Sequence, residues 1–199
     1  SRDAPVVDLA VSTEGKVGAN VLADGTVQVL RLGAEQQVVN KWKISSEILG
    51  NGKATSVALS PDGHSLAIGT AIGSVVVTTG LDDIGTLESR SVSITAHKRS
   101  ITDLCFDNQG TLWTASEDRT VKSWKRSSDG VFVEDAVAWH FLPVRQIAVV
   151  DQSDGALLAA VVGDERGGRI AVWKKTQTLD GSDLQLLGRM SGHTAMPSA

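Results

Sequence analysis

Apolar and polar residues alternate along this chain in short runs, and turn residues close each run after a few positions. Alternation with a period of two puts one set of side chains on a buried face, so the runs read as strands rather than helices. They come in groups of four. The first group is Val6 to Val11, Val17 to Leu22, Thr26 to Leu32 and Val38 to Ile44. The second is Ser56 to Ser60, Leu66 to Gly69, Ser74 to Thr79 and a more variable strand around Glu88 to Ile94. The third is Ile101 to Phe106, Leu112 to Ser116, Thr120 to Lys125 and Val131 to Val137. The fourth is Gln146 to Val150, Leu157 to Val162, Arg169 to Lys174 and Leu184 to Met190, with a longer turn from Gly163 to Gly168. The separators have turn chemistry: Pro fixes φ and Gly accepts positive φ in Pro61-Asp62-Gly63, and Asp24-Gly25 is a hairpin dipeptide. No stretch has helical amphipathicity long enough for a stable isolated helix, so helix content is predicted to be low.

The groups repeat. The turn position before each third strand falls at Asp24, Ile72, Asp118 and Asp164, in steps of 48, 46 and 46. An upstream glycine turn at Gly15, Gly63, Gly110 and Gly155 gives steps of 48, 47 and 45. A period this long means one supersecondary unit stacked on its neighbours, and a spacing of about 40–45 residues points to propeller blades. The expected fold is all-β, a β-propeller of four-stranded antiparallel blades in one region spanning 1–199. The blades are expected at about 5–45, 54–95, 96–138 and 139–191, with 192–199 opening a fifth.

Composition narrows the function. With 41% hydrophobic and 21% charged residues the chain can fill a core. A net charge of −4 argues against a general polyanion binder, so nucleic acid is not an expected partner. The single cysteine, Cys105, lies in an apolar segment and cannot form an internal disulfide, which favours a reducing, intracellular compartment. The longest apolar run, Ala156 to Val162, is too short to span a bilayer as a helix. No Cys/His set has metal-ligand spacing, and Gly167-Gly168 sits in a β-turn region rather than a phosphate loop. No catalytic constellation, cofactor, metal or small-molecule substrate is therefore expected.

At particular residues the pattern resembles the WD-repeat β-propeller family. A repeat of that family opens with Gly-His, passes a Ser-Pro-Asp-Gly turn, places an Asp before the third strand and ends in Trp-Asp. Here Ala96-His97, Trp139-His140 and Gly192-His193 stand at the opening, and Ser60-Pro61-Asp62-Gly63 matches the turn. Asp24, Asp118 and Asp164 match the acid, and Trp124 and Trp173 match the tryptophan. The resemblance implies a hydrogen-bonded brace inside a blade, formed by His97, Asp118, Trp124 and either Thr114 or Ser116, with Asp164 and Trp173 in the same places one unit on. Such a brace is structural, so a His, an Asp and a Ser in one blade do not make a catalytic triad. Lys125 and Lys174 replace the Asp after Trp, Ile72 and Thr78 replace Asp and Trp in the second unit, and Leu30 replaces Trp in the first.

The resemblance also implies a ring of seven blades, which needs roughly 320 residues. The remaining blades are expected from the rest of a longer chain or from a second chain, the alternative being a self-contained four-bladed ring with different blade angles. Loops before the first strand and after the second line one rim of such a propeller, where peptides and partner domains dock. They carry Lys98, Arg99, Glu117, Arg119, Leu142, Arg145, Glu165, Arg166 and Arg169. The expected function is a non-catalytic platform for protein–protein assembly. One alternative is a peptide or phosphopeptide reader using the arginine rim through bidentate hydrogen bonds. Another is a cytoskeletal regulator, because the run from Ser56 to Gly69 resembles WD-repeat actin-interacting proteins.

Overall fold

The computed structural model describes residues 4–33, 37–49, 52–81, 91–164, 167–178 and 181–190. These form four antiparallel sheets of four strands, each a simple meander in chain order. Sheet 1 holds β1 (Val6–Val11), β2 (Val17–Leu22), β3 (Thr26–Arg31) and β4 (Gln37–Lys43). Sheet 2 holds β5 (Ala54–Leu59), β6 (Ser65–Thr70), β7 (Ser74–Thr79) and β8 (Ser91–Thr95). Sheet 3 holds β9 (Ile101–Phe106), β10 (Leu112–Ser116), β11 (Thr120–Arg126) and β12 (Phe132–Trp139). Sheet 4 holds β13 (Val144–Gln152), β14 (Gly155–Asp164), β15 (Gly167–Thr178) and β16 (Gly181–Met190). Among the described residues there is no helix, and so none long and apolar enough to cross a membrane.

The sheets stack face to face, and the period-two alternation divides each inner sheet between two cores. On β6, Leu66 and Ile68 pack toward Ala19, Val21, Val27 and Val29 of sheet 1, while Ala67 turns toward Ile101 and Leu104 of sheet 3. On β10, Leu112 faces sheet 2, and Trp113 and Ala115 face Leu158 and Ala160 of sheet 4. Three cores thus join four sheets in a row. The first strands β1, β5, β9 and β13 lie side by side along the inner edge of that row. Sheets 1 and 4 keep one outward face each, where Leu9 and Val150 are exposed.

Each first strand carries a bulge near its start, at Val7, Thr55, Thr102 and Arg145. A bulge adds twist and re-aims the following side chain. After it, the Asp8 carboxylate accepts the Val57 amide of sheet 2 at 2.8 Å, and the Asp103 carboxylate accepts the Ile147 amide of sheet 4 at 2.8 Å. Burial pushes the Asp103 carboxyl up to about 6 although two backbone amides favour its ionised form.

One difference from the expected strands is in sheet 4. The residues between Asp164 and Trp173 do not make a long turn from Gly163. Val162 pairs with Arg169, Gly163 with Gly168 and Asp164 with Gly167, so the additional residues lengthen the β14–β15 hairpin. Asp164 is therefore the last residue of a strand. Backbone groups that can ladder will do so before they are left in a loop.

Candidate functional site

The best-formed polar assembly sits where β8 leads into β9. Gly73, at φ 89°, turns β6 into β7, and its carbonyl accepts the amides of Ala96 at 3.1 Å and His97 at 2.8 Å. A Cβ there would collide with the backbone carbonyls of His97 and Arg99, so only glycine permits this approach. The contact seats His97 under the β10–β11 turn with its side chain fully buried.

There His97 Nδ1 lies 3.0 Å from Asp118 Oδ2 and 2.9 Å from Thr120 Oγ1, and Nε2 lies 2.7 Å from Thr114 Oγ1. Trp124 Nε1 donates to the same Thr114 oxygen at 3.0 Å. An ionised carboxylate can only accept, so it places the imidazole proton on Nδ1 and leaves Nε2 to accept the threonine hydroxyl proton. Asp118 also accepts the amides of Lys98 and Thr120 at 3.0 Å each. Burial pushes His97 below the usual imidazole value against the pull of Asp118, so the ring is neutral. Burial works against the Asp118 carboxylate too, but the Thr120 hydroxyl and Lys98 amide outweigh it and hold the group below its ordinary value. Every polar atom faces another protein group, and no nucleophile is turned toward solvent.

Thr114, not Ser116, links His97 to Trp124. Ser116 Oγ donates to the Arg99 carbonyl at 3.2 Å and accepts the Asp118 amide at 3.0 Å. Both residues point to the same side of β10, but Ser116 lies at the strand end beside the turn, beyond reach of the indole. It orders the turn rather than the brace.

The same places in sheet 4 are incompletely filled. His140 and Trp173 meet edge to face with ring centroids 5.4 Å apart, yet His140 Nε2 and Trp173 Nε1 are buried without a hydrogen-bond partner. Leu158 pairs with Trp173 as Leu112 pairs with Trp124, so the counterpart of Thr114 is Ala160, which has no hydroxyl. Burial first, and Arg189 second, push His140 down to about 4. Replacing Ala160 by serine is expected to supply the missing link and add about 1 kcal/mol of stability. In a thermal melt this should raise Tm by about 2–4 °C; an unchanged Tm would show that the two ring nitrogens are already hydrated.

The residues expected on the rim are spread over these connections. Lys98 and Arg99 are exposed beside His97, and Arg119 is exposed in the β10–β11 turn. Glu117 and Arg145 pair at 3.0 Å, tying that turn to β13, so Arg145 is already engaged. Arg169 lies on β15 and is exposed, whereas Arg166 falls outside the described residues. Arg119 stands apart: at φ 74° it is the non-glycine residue with positive φ among those described, where the first two sheets have Gly25 and Gly73. For a side-chain-bearing residue that conformation costs about 1–2 kcal/mol.

Three features escaped the sequence reading. Trp139 and Phe141 are 69% and 82% exposed. Asp135 and Lys175 form a buried ion pair at 2.6 Å between sheets 3 and 4. A cleft of about 350 Å³ opens beside that pair between Asp107, Asp151 and Lys175. The first carried a signal, because Trp139 occupies an opening position that is Ala96 one unit earlier.

Four-stranded meanders stacked by their faces, with first strands along one inner edge, define a β-propeller. A model of the WD domain, G-beta repeat, matches residues 88–125. This stretch takes the outer strand β8 of sheet 2 together with β9, β10 and β11 of sheet 3, so the sequence repeat is offset from the sheet by one strand. That stretch is similar to one WD repeat, and the fold of the chain is that of a β-propeller. Among solved structures it is similar to one described as the structure of U3-55K, at 15% identity and TM-score 0.70, over 97% of this chain and 54% of that one. It is also similar to RRP9 WD40 repeats, at 14% identity and TM-score 0.68, over 94% of this chain and 52% of that one. The chain thus spans about half the length of these structures. No curated protein sequence matches it.

Proposed function

We propose that this chain is a non-catalytic platform for protein assembly, and that the rim carrying Lys98, Arg99 and Arg119 is a contact surface. The observation that carries this reading is Arg119. An arginine is held in a strained backbone conformation that glycine occupies in two sister sheets, and its side chain is exposed. Strain kept where a strain-free residue would serve stability points to a use for the side chain. The brace beneath supports the reading, because it fixes the turn that displays Arg119. Three cations within two adjacent connections suit an acidic partner segment, which arginine engages through paired hydrogen bonds. Rigid sheets presenting short loops suit repeated docking without rearrangement of the platform.

The test is capture of partners from a cell extract by the immobilised chain, compared with an Arg99→Ala, Arg119→Ala double variant and a Gln109→Ala, Gln152→Ala variant in the distant cleft. Partners should be lost from the rim variant and retained by the cleft variant, and binding should weaken as salt rises. Equal capture by all three proteins removes the rim from the reading.

A further inference from the structure

Trp139 ends β12 and Phe141 lies in the connection to β13; among the described residues they are the two most exposed large apolar side chains. Nothing in the fold asks for them. In the preceding unit the corresponding residues are Ala96 and Lys98, and Ala96 is buried. A small residue therefore suffices to open a blade, and the tryptophan in its place is 69% exposed. Exposed rings of this size, two residues apart in the chain, are characteristic of contact surfaces.

The surroundings give the surface a charge. The Arg189 guanidinium of β16 lies 5.7 Å from the Phe141 ring centre, as a cation over an aromatic face. Arg169 and Arg189 line a small hollow with His140, Phe141, Leu142 and Val162. The His140 amide donates to the Arg119 carbonyl at 2.9 Å, which fixes this connection against the rim turn. No ion pair to Arg119, Arg169 or Arg189 occurs among the described residues. The β12 and β16 strands are the outer strands of their sheets and touch each other, so the corner lies on the outer perimeter, away from the inner edge formed by the first strands.

We propose that this corner, formed by Trp139, Phe141, Arg169 and Arg189, is a second docking site that takes an acidic peptide segment carrying an aromatic or large aliphatic anchor. The exposed rings receive the anchor and the arginines receive the flanking carboxylates. A nucleic-acid strand fits less well: the chain carries a net charge of −4, and Arg169 and Arg189 line a small hollow rather than a long groove. The site rests on the reading of the chain as a binding platform but uses residues outside the rim pair Arg99 and Arg119.

The experiment is selection of a random dodecapeptide phage library on the folded chain, followed by fluorescence anisotropy with a labelled synthetic peptide of the enriched sequence. Enriched peptides should combine Asp or Glu with Phe, Trp or Leu. Affinity should fall about tenfold or more for Trp139→Ser with Phe141→Ser, as for loss of an aromatic hot spot. It should fall for Arg189→Glu and for a peptide with Lys in place of its acids, with thermal melts confirming that the variants fold. Failure to enrich any peptide, enrichment of peptides without acidic residues, or equal binding to the Trp139, Phe141 double variant overturns the proposal. Tighter binding of a labelled oligothymidine through the same two rings overturns it in favour of nucleic acid. Loss on Arg99→Ala with Arg119→Ala but not on the corner variants leaves the platform and removes the corner.

Discussion

Replacing Thr114 by valine is expected to cost about 2–5 kcal/mol of unfolding free energy, although the two side chains have nearly the same shape. Thr114 is fully buried, and its hydroxyl accepts the Trp124 indole proton while donating to His97 Nε2. Valine fills the space, so no cavity opens. What changes is that two buried ring nitrogens lose their partner at once, and each such loss costs about 1–3 kcal/mol. The effect should spread beyond β10, because His97 lies in the connection between sheets 2 and 3 and is held there by the Gly73 carbonyl. Serine is the control. It keeps the hydroxyl and gives up one methyl group, at about 1 kcal/mol. Urea unfolding followed by circular dichroism measures both. A valine variant no less stable than the serine variant would show that packing of Leu112 and Trp124, rather than the hydrogen-bonded brace, holds this sheet.

The resemblance to the WD repeat implied the brace, but it did not say which hydroxyl takes part. Thr114 and Ser116 have the same parity on β10, and alternation says only that both face sheet 2. Distance along the strand separates them. Thr114 lies diagonally across from Trp124, whereas Ser116 lies at the turn and is drawn to the Asp118 amide. Asp164 illustrates a second limit. Its spacing from Trp173 announced additional residues, but residues added in pairs across a hairpin extend a ladder as readily as they form a loop, and the ladder leaves fewer backbone groups unpaired. The strand groups themselves were readable because Pro61-Asp62-Gly63 and Asp24-Gly25 are local chemistry. Contacts between sheets are not local. The approach of Arg189 to Phe141 and of Lys175 to Asp135 depends on how neighbouring sheets register, and no periodicity within one strand encodes that.

That second contact sets the other large effect: Asp135→Ala is expected to destabilise the chain by about 3–5 kcal/mol. Asp135 on β12 accepts from Lys175 of β15 at 2.6 Å and lies 3.1 Å from Lys125 of β11. Burial opposes its ionised form, but the hydrogen bonds from Lys175 and Lys125 prevail and keep the carboxyl below its ordinary value. The Lys175 side chain is 8% exposed and its ammonium sits 4.9 Å from the Trp113 ring centre. Without Asp135, that ammonium stays in the joint between sheets 3 and 4 beside the Trp113 face. An aromatic face contributes about 2 kcal/mol when desolvated, which is less than the cost of an unpaired buried charge. Lys125 takes the position after Trp124 where the family repeat has Asp, so the charge at this joint is inverted and Asp135 answers it from the next strand. Adding Lys175→Met to the Asp135→Ala variant should recover much of the loss, because methionine fills the space without a charge to solvate. A double-mutant cycle read by urea unfolding separates the two contributions. Additive losses would show that the pair is not coupled and that the joint depends on its apolar residues, Trp113 and Leu158 foremost.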